Sequence, residues 1–550
     1  MPGYNCSLKG LLNMIGKEEV NLENLEDYLD AVKSELKEYD SETDELKLEN
    51  NDTNRPDLWS LEGTARQIKA CMFDEHADYD FFDKTPKTEN VIKVDPSLQG
   101  IRPYIAGFSV SGTKVTDELL KQLIQAQEKL CDNFGRKREL IAIGIYDFNK
   151  VKLPVHYIAS EKTKTFVPLG FEENMTLSEI LEKHPKGIQY GNIVSKFEKF
   201  PLLTDDSGEV MSFPPVINSN NLGKVKVGDE NLFVEVTGTE KESVMLVANI
   251  MAVNIADHGG IIEPFTIEYE SEKFISPSKF EDSTEITLDF TKKLTGLDVT
   301  IDELEKSLRK FGHVVKRVDA NTLSCTPPSY RRDILHMSDL VEDYCICYGY
   351  NNFVPKMLDS FTVGSESEVS KFEKLMRELL IGMNFQEVMT YILTSKENQT
   401  VKMRDESGIA EIANPMTETY GAVRKSIIPI LLEIESKNPR AEYPHRIFEI
   451  GEVASGDEKT GYETKHKLSV LVAHSNANFS EISSILQALM YYLGREYKLE
   501  PIEHPSYIVG RTGAIMYKGV NIGVIGEIHP EVLDNWSIGM PCCGFEIDIK

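Results

Sequence analysis

A doubled proline in the middle of this chain forces a turn, and four carboxylates crowd into the loop and helical turn that follow. The stretch from Cys325 to Pro355 reads CTPPSYRRDILHMSDLVEDYCICYGYNNFVP. Pro327 and Pro328 fix two φ angles and withhold two backbone donors, so the strand TLSC must end there. A helix is expected from Ser338 or Asp339, with Leu340, Val341, Tyr344 and Cys347 on one face and Gly349 as a left-handed C-cap. Asp339, Glu342 and Asp343 then fall at i, i+3 and i+4, on one side of the first turn, and Asp333 on the incoming loop can bend back to join them. Like charges this close repel unless a positive charge lies between them. A D-x-x-E capping box accounts for Asp339 and Glu342 but leaves Asp333 and Asp343 unexplained. An all-oxygen ligand set suits a hard cation, magnesium first and manganese or calcium second. His336, alone on the loop, reads as solvated rather than ligating.

A chain of 550 residues, 41% hydrophobic and 27% charged, is long enough for several domains and has the composition of a soluble globular protein. The N-terminus MPGYNCSLKG lacks the basic and apolar regions of a signal peptide, and no apolar run approaches membrane-spanning length, which points to the cytoplasm and to no membrane partner. The eight cysteines never form C-x-x-C, so neither a zinc ribbon nor a disulfide framework is expected. A formal charge of -29 excludes a general nucleic-acid-coating protein. Any RNA contact must be local, and Arg136, Lys137 and Arg138 form the basic cluster that could make one.

Taken in order, residues 1–97 read as an α/β module and connector. Leu8, Leu11, Leu12 and Ile15 predict one helix ending at Gly16, and Leu25, Leu29, Val32 and Leu36 a second. The stretch NNDTNRPDLWS is a tight loop whose Pro56 leads into a helix carrying Leu61, Ala65 and Ile68. From 98 to 275 strands such as RPYIAGFSV and LIAIGIYDF alternate with helices. There KFPLLTDDSGEVMSFPPVINSNN predicts a hairpin turning at Asp205–Gly208, with an extended Ser-Phe-Pro-Pro run beside Asn218, Ser219 and Asn220.

Residues 276–360 predict a compact α+β unit, a helix through Leu304, Leu308 and Phe311 followed by a hairpin around Asp319–Asn321. Residues 361–550 alternate an amphipathic helix through Phe372 and Leu379 with the strand patterns FQEVMTYIL, HRIFEIGEV, KLSVLVAH and NIGVIGEIHP, which implies an antiparallel sheet flanked by helices. Ile427, Ile428, Ile430, Leu431, Leu432 and Ile434 are too many for one stripe, and the second face is expected to be covered by a partner subunit.

The motifs P-x-Y-R-x-D-I, D-L-V-E-D and Y-G-Y-N-N resemble the magnesium-carrying domain of phenylalanyl-tRNA synthetase beta subunits of the archaeal and eukaryotic type. N-D-T-N-R-P-D-L-x-S-x-E-G-x-A-R resembles a second signature of that family. The family's D-x5-D-x2-E-[ED] ligand motif falls on Asp333, Asp339, Glu342 and Asp343, with Asp in the last place. The resemblance implies an α+β multidomain chain. It would combine a tRNA-editing domain over 98–275, a magnesium-carrying domain over 276–360 and a catalytically inactive class II synthetase-like sheet domain over 361–550. It implies an alpha subunit as partner in an α2β2 assembly, with ATP and phenylalanine handled there, and tRNA(Phe) as the RNA. The editing module of the family hydrolyses tyrosine wrongly attached to that tRNA. Leu202, Asp205, Ser212, Asn218 and Thr239 are the candidates for its pocket in this chain. A site built to bond a hydroxyl rejects an analogue lacking it by about 10^4-fold or more, which suits a Tyr-versus-Phe decision. No glycine-rich strand carries an ATP-clamping arginine; Gly510, Arg511 and Gly513 read as an ordinary turn. Two other classes remain in view: a stand-alone metal-dependent hydrolase using the four carboxylates, and a translation scaffold without activity.

Overall fold

A computed structural model describes residues 2–549. It forms two compact units, one ending at Lys356 and the other beginning at Met357. In the first, a three-stranded sheet (Gly3–Ser7, Glu45–Asn50, Ser34–Asp40) packs on the helices Leu8–Ile15 and Leu61–Phe73. Gly16 closes the first helix at φ 68, as its position after the apolar run requires. The second helix is shorter than its leucine spacing suggests. It ends at Leu29, a 3-10 turn carries the chain to Val32, and Lys33 takes φ 48, so Leu36 lies in a strand. Pairing with Glu45–Asn50 outweighs helical periodicity there.

The middle of this unit is a large sheet. Its strands run in the order Ile217–Asn218, Val210–Phe213, Phe200–Thr204, Val155–Ser160, Val91–Val94, Ile261–Glu268, Tyr104–Ser111, Leu232–Gly238, Ile141–Asp147, and Lys273–Ser276 also pairs with Ile261–Glu268. The sheet curls, because its two end strands meet: Arg138, just before Ile141, donates to the carbonyls of Pro215 and Val216 at 3.0 and 3.1 Å. Ile261–Glu268, late in the sequence, sits between the two halves. The helix Lys241–Asp257 packs on the sheet and is apolar all round, buried from Ser243 to Ile255. Its two buried amides tie in the neighbours. Asn249 donates to the carbonyls of Ser278 and Ser329, and Asn254 bonds Ser60 and Arg66.

A small sheet of Thr284–Thr287, Thr322–Thr326 and Val314–Arg317 follows, covered by the helices Ile301–Lys310 and Met337–Tyr348. The hairpin at 319–321 and the helix through Leu304 and Leu308 form as their patterns predict.

The second unit is a seven-stranded sheet ordered Gln386–Glu387, His445–Asp457, Gly461–Ala473, Cys542–Asp548, Val520–Ile528, Tyr507–Tyr517, Tyr497–Pro501, antiparallel except for its first pair. The helices Glu368–Gly382 and Phe479–Tyr492 bury Met376, Leu380, Leu486 and Leu489 in one core, and the helix Ile428–Lys437 joins a second. Two expectations change here. FQEVMTYIL is not one strand: it pairs only at Gln386–Glu387 and Leu393, and Met389 and Tyr391 stand exposed. The apolar run around Ile427–Leu432 is buried in the chain's own core rather than waiting for a partner, because its second face packs beneath Leu471, Tyr507 and Trp536. Gly510 at φ 78 lies in a bulged strand, not a turn between elements, and Arg511 pairs with Glu527. All eight cysteines are free thiols, seven of them buried.

Candidate functional site

The strand LFVEVTG, Leu232–Gly238, runs buried between Tyr104–Ser111 and Ile141–Asp147. One charged residue interrupts it. Glu235 is 2% exposed and stands opposite Gly107 on one neighbour and Gly144 on the other. A Cβ added at Gly144 would lie 2.3 Å from the Tyr146 hydroxyl and 2.5 Å from Glu235 Oε1, so the missing side chain is what makes room for this pair. The Tyr146 hydroxyl donates to Glu235 Oε1 at 2.9 Å, while Oε2 has no partner. Burial pushes the carboxyl up to about 7, and the Tyr146 bond and the Arg102 charge only partly offset it. A buried carboxyl with an open oxygen is costly to the fold and therefore suggests a ligand.

Glu235 borders a cavity of about 370 Å³. Ile143, Ile145 and Phe213 give it apolar walls, and Ser212 and Asn218 add polar ones. Ser212 is 2% exposed, and its Oγ makes no well-formed hydrogen bond. Ser212 and Asn218 are brought together by strand pairing. The arrangement is an apolar slot with convergent polar groups, of a size to take an aromatic ring bearing a hydroxyl.

Two of the five residues singled out for this pocket, Ser212 and Asn218, line the cavity. The other three do not. Leu202 is fully buried in a neighbouring core with Phe166, Leu177 and Phe213. Asp205 is consumed by its turn, accepting from Ser207 N, Ser207 Oγ and Glu209 N at 2.9, 2.7 and 3.0 Å. Thr239 follows the strand, and its amide donates to Leu140 O. Glu235 and Tyr146 were missed by the pattern reading, and Arg138 was singled out only as one of a basic cluster, not as a residue of this cavity. The signal for Glu235 and Tyr146 was a lone carboxylate in an apolar strand, flanked by glycines within two other apolar strands.

Beside the cavity the chain passes through three consecutive left-handed residues, Arg136, Lys137 and Arg138, at φ 50, 54 and 70. Each costs about 1–2 kcal/mol relative to ordinary backbone. Buried Arg102 holds this turn in place. Its guanidinium donates to the carbonyls of Arg138 and Glu139 at 3.2 and 3.1 Å, and to Thr237 O at 2.8 Å.

At the acidic helix the positive charge between the carboxylates is a guanidinium. Arg331, 3% exposed, grips Asp333 at 3.0 and 2.6 Å and Asp343 at 2.8 and 3.2 Å. His313 Nε2 donates to Asp343 at 2.7 Å, and burial lowers the affinity of that ring for a second proton. Burial works against the charged form of Asp343, but Arg331 and His313 overcome it and hold the carboxyl far below its ordinary range. The other two acids face elsewhere. Asp339 caps its own helix, accepting from the amides of Leu335 and His336 at 2.8 Å, and Glu342 pairs with Lys33. The capping box is therefore His336 with Asp339, not Asp339 with Glu342. Among the described residues no three His, Cys, Asp or Glu side chains form a metal-holding group. Arg55 of the NDTNRPD stretch clamps Asp57 at 2.9 and 2.8 Å and lies 3.9 Å from Asp333, so the two sequence signatures meet in one buried ionic network.

Residues 284–350 match the tRNA synthetase B5 domain, and 355–549 match the phenylalanyl tRNA synthetase beta chain CLM domain. Over its whole length the chain is 41% identical to a phenylalanine–tRNA ligase beta subunit of Pyrococcus horikoshii, covering 99% of that protein. It belongs to the phenylalanine–tRNA ligase beta subunits. The beta subunit of Borreliella burgdorferi is 42% identical, again over all of this chain and 99% of the relative. A crystal structure of an N-terminal fragment of the Pyrococcus horikoshii beta subunit superposes with a TM-score of 0.60 at 40% identity, covering 64% of this chain and all of the fragment. This beta subunit is thus part of an aminoacyl-tRNA synthetase. Its ionic network around Arg331 lies in the B5 domain, and its cavity lies ahead of both matched domains.

Proposed function

We propose that the chain serves the ligase in two ways: residues 98–275 hydrolyse tyrosine misattached to tRNA(Phe), and the second unit offers surface to an alpha subunit that carries the attachment chemistry. Glu235 carries the editing reading. An aromatic ring enters between Ile143, Ile145 and Phe213, and a para hydroxyl reaches the open oxygen of Glu235. Phenylalanine would leave that oxygen unpaired, so the site separates the two amino acids by a hydrogen bond and not by size. Among the described residues no His, Cys or Thr lines the cavity, which fits hydrolysis by a positioned water.

The second unit supports a partner role through Met389, Tyr391 and Met416, which are 91%, 76% and 102% exposed around the short strand Leu393–Thr394. Its own polar cavity of about 340 Å³ is lined by Lys425 and Lys467, and each of these ammonium groups is held by a carboxylate, Asp405 and Glu546. Charges already paired are poorly placed to clamp ATP phosphates, consistent with ATP and phenylalanine being used on the alpha subunit.

The magnesium implied by the resemblance does not fit the acidic helix as it is arranged. Asp333 and Asp343 would have to give up Arg331, and Asp339 would have to leave its helix terminus. The same geometry counts against a stand-alone hydrolase built on these four groups. Asp339→Asn is expected to cost about 1 kcal/mol as a weakened cap and to leave the metal content of the purified chain unchanged by atomic emission. A fall in bound metal would restore Asp339 as a ligand.

The reading as a whole is tested by co-expressing the chain with the alpha subunit of the same genome. The purified complex should have the mass of two of each chain and deacylate Tyr-tRNA(Phe) while sparing Phe-tRNA(Phe). A complex that spares both removes the editing role.

A further inference from the structure

Seven of the eight cysteines are buried, and the eighth, Cys347, has a buried thiol for a neighbour. Cys347 stands half-buried in the last turn of the helix Met337–Tyr348, within the domain that matches B5. Cys71, 3% exposed, stands near the end of the helix Leu61–Phe73 in the N-terminal module. The two meet where the module and the domain touch. Ala31, Cys71 and Phe311 form a small apolar cluster there, and Ile346 and Cys347 pack against it.

The two sulfurs are not equivalent. Cys71 donates its thiol hydrogen to the Cys347 sulfur, which also takes the Ser307 hydroxyl and faces the ammonium of Lys310. The bond from Cys71 first, then Ser307 and Lys310, hold Cys347 down at about 7 against its burial and the charge of Asp74. The same bond and its own burial push Cys71 up. A cysteine used only as a small apolar side chain needs no cation beside its sulfur. An accessible sulfur that favours the thiolate, next to a buried thiol that keeps its proton, is the pairing of an oxidation-sensitive cysteine with a resolving one.

We propose that Cys347 and Cys71 form a hydroperoxide-reactive pair whose oxidation staples the N-terminal module to the B5-matching domain through a reversible disulfide. The Cys347 thiolate attacks one oxygen of the hydroperoxide. The O–O bond breaks, the second oxygen leaves and takes a proton from water, and Cys347 becomes a sulfenic acid. Cys71 then attacks that sulfur. The S–S bond forms, the S–O bond breaks, and the hydroxyl departs as water with the Cys71 proton. The staple closes a loop that holds the whole large sheet, so it restricts the unfolded chain.

The test begins with the purified full chain, treated briefly with hydrogen peroxide, alkylated under denaturing conditions and digested without reductant. The digest should hold a cross-linked peptide pair joining Cys71 to Cys347, two hydrogens lighter than the reduced peptides together, and dithiothreitol should remove it. The oxidised chain should lose two of its eight thiols to alkylation and unfold at higher urea than the reduced one. Absence of the linked pair, or a link from either residue to another cysteine in its place, overturns the proposal. Dimedone, which traps sulfenic acids, separates the two steps. Cys71→Ala should raise dimedone labelling of Cys347 from trace to main product, and Cys347→Ala should leave Cys71 unlabelled. Equal labelling of Cys347 with and without Cys71 means that no resolving thiol acts there, and labelling of Cys71 in the Cys347→Ala chain removes Cys347 as the first sulfur oxidised; both overturn the pair. The peptide map needs no variant, so it decides even where a substitution prevents folding.

Discussion

Glu235→Gln should lower deacylation of Tyr-tRNA(Phe) by the assembled enzyme about 10- to 100-fold, the worth of one charge-assisted hydrogen bond of about 1.5–3 kcal/mol. The same substitution should make the chain more stable. The carboxyl is raised from 4.5 to about 7 in the folded state, so the folded chain holds this proton more tightly than the unfolded one. Below pH 4.5 both states are protonated and the group costs nothing. Between 4.5 and 7 the unfolded state alone ionises and stability drains away, reaching about 3 kcal/mol above pH 7. Urea midpoints of the two proteins should therefore agree at pH 4 to 5 and separate as pH rises through 7, with the glutamine form ahead. A variant that loses both activity and stability at every pH would make Glu235 a structural acid and end its role in recognition.

Arg331→Met should be the most damaging single change in the first unit. It leaves Asp333 and Asp343 buried around an uncharged side chain, and breaking a buried pair in this way costs about 3–5 kcal/mol. The sign with pH is opposite to that at Glu235. Asp343 is depressed in the folded state, so its pairing contributes fully above the unfolded value of 3.8 and is lost as pH falls through the folded value. The gap between wild type and Arg331→Met, read from urea midpoints of the full chain, should be widest near pH 8 and narrow steadily as pH falls, because burial without the guanidinium raises both carboxyls in the variant and lets them take up protons. Chelator should leave both midpoints where they are. A wild-type midpoint that falls with chelator would show that an ion, not Arg331, binds the acids together.

Local pattern was legible where packing and periodicity agreed. The helix ended by Gly16, the hairpin at Asp205–Gly208 and the acidic helix up to Gly349 all form close to where their residues place them. It failed where a partner distant in sequence decided the outcome. Leu36 was read as helical because its strand partner lies beyond the turn. The four carboxylates read as one cluster because spacing shows which side chains share a helix face but not that Arg331, two residues from Asp333, folds back among them. Asp205, read both as the first residue of a turn and as a pocket candidate, spends its carboxylate on the turn's own hydrogen bonds. Glu235 went unseen because its significance comes from Gly107 and Gly144, which are neighbours only across the sheet.

Ile261–Glu268 lies between Val91–Val94 and Tyr104–Ser111, which precede it by most of the domain. During synthesis, then, each half of the sheet waits with an open edge until that strand arrives. The cavity draws Ser212 and Asn218 from one half and Glu235 from the other, so a nascent chain stopped short of residue 261 has every pocket residue already translated and still no closed sheet to hold them together. Translation order makes this cavity one of the last parts of the large sheet to exist, and exposed strand edges make the interval before it the one in which the chain is most open to wrong pairing.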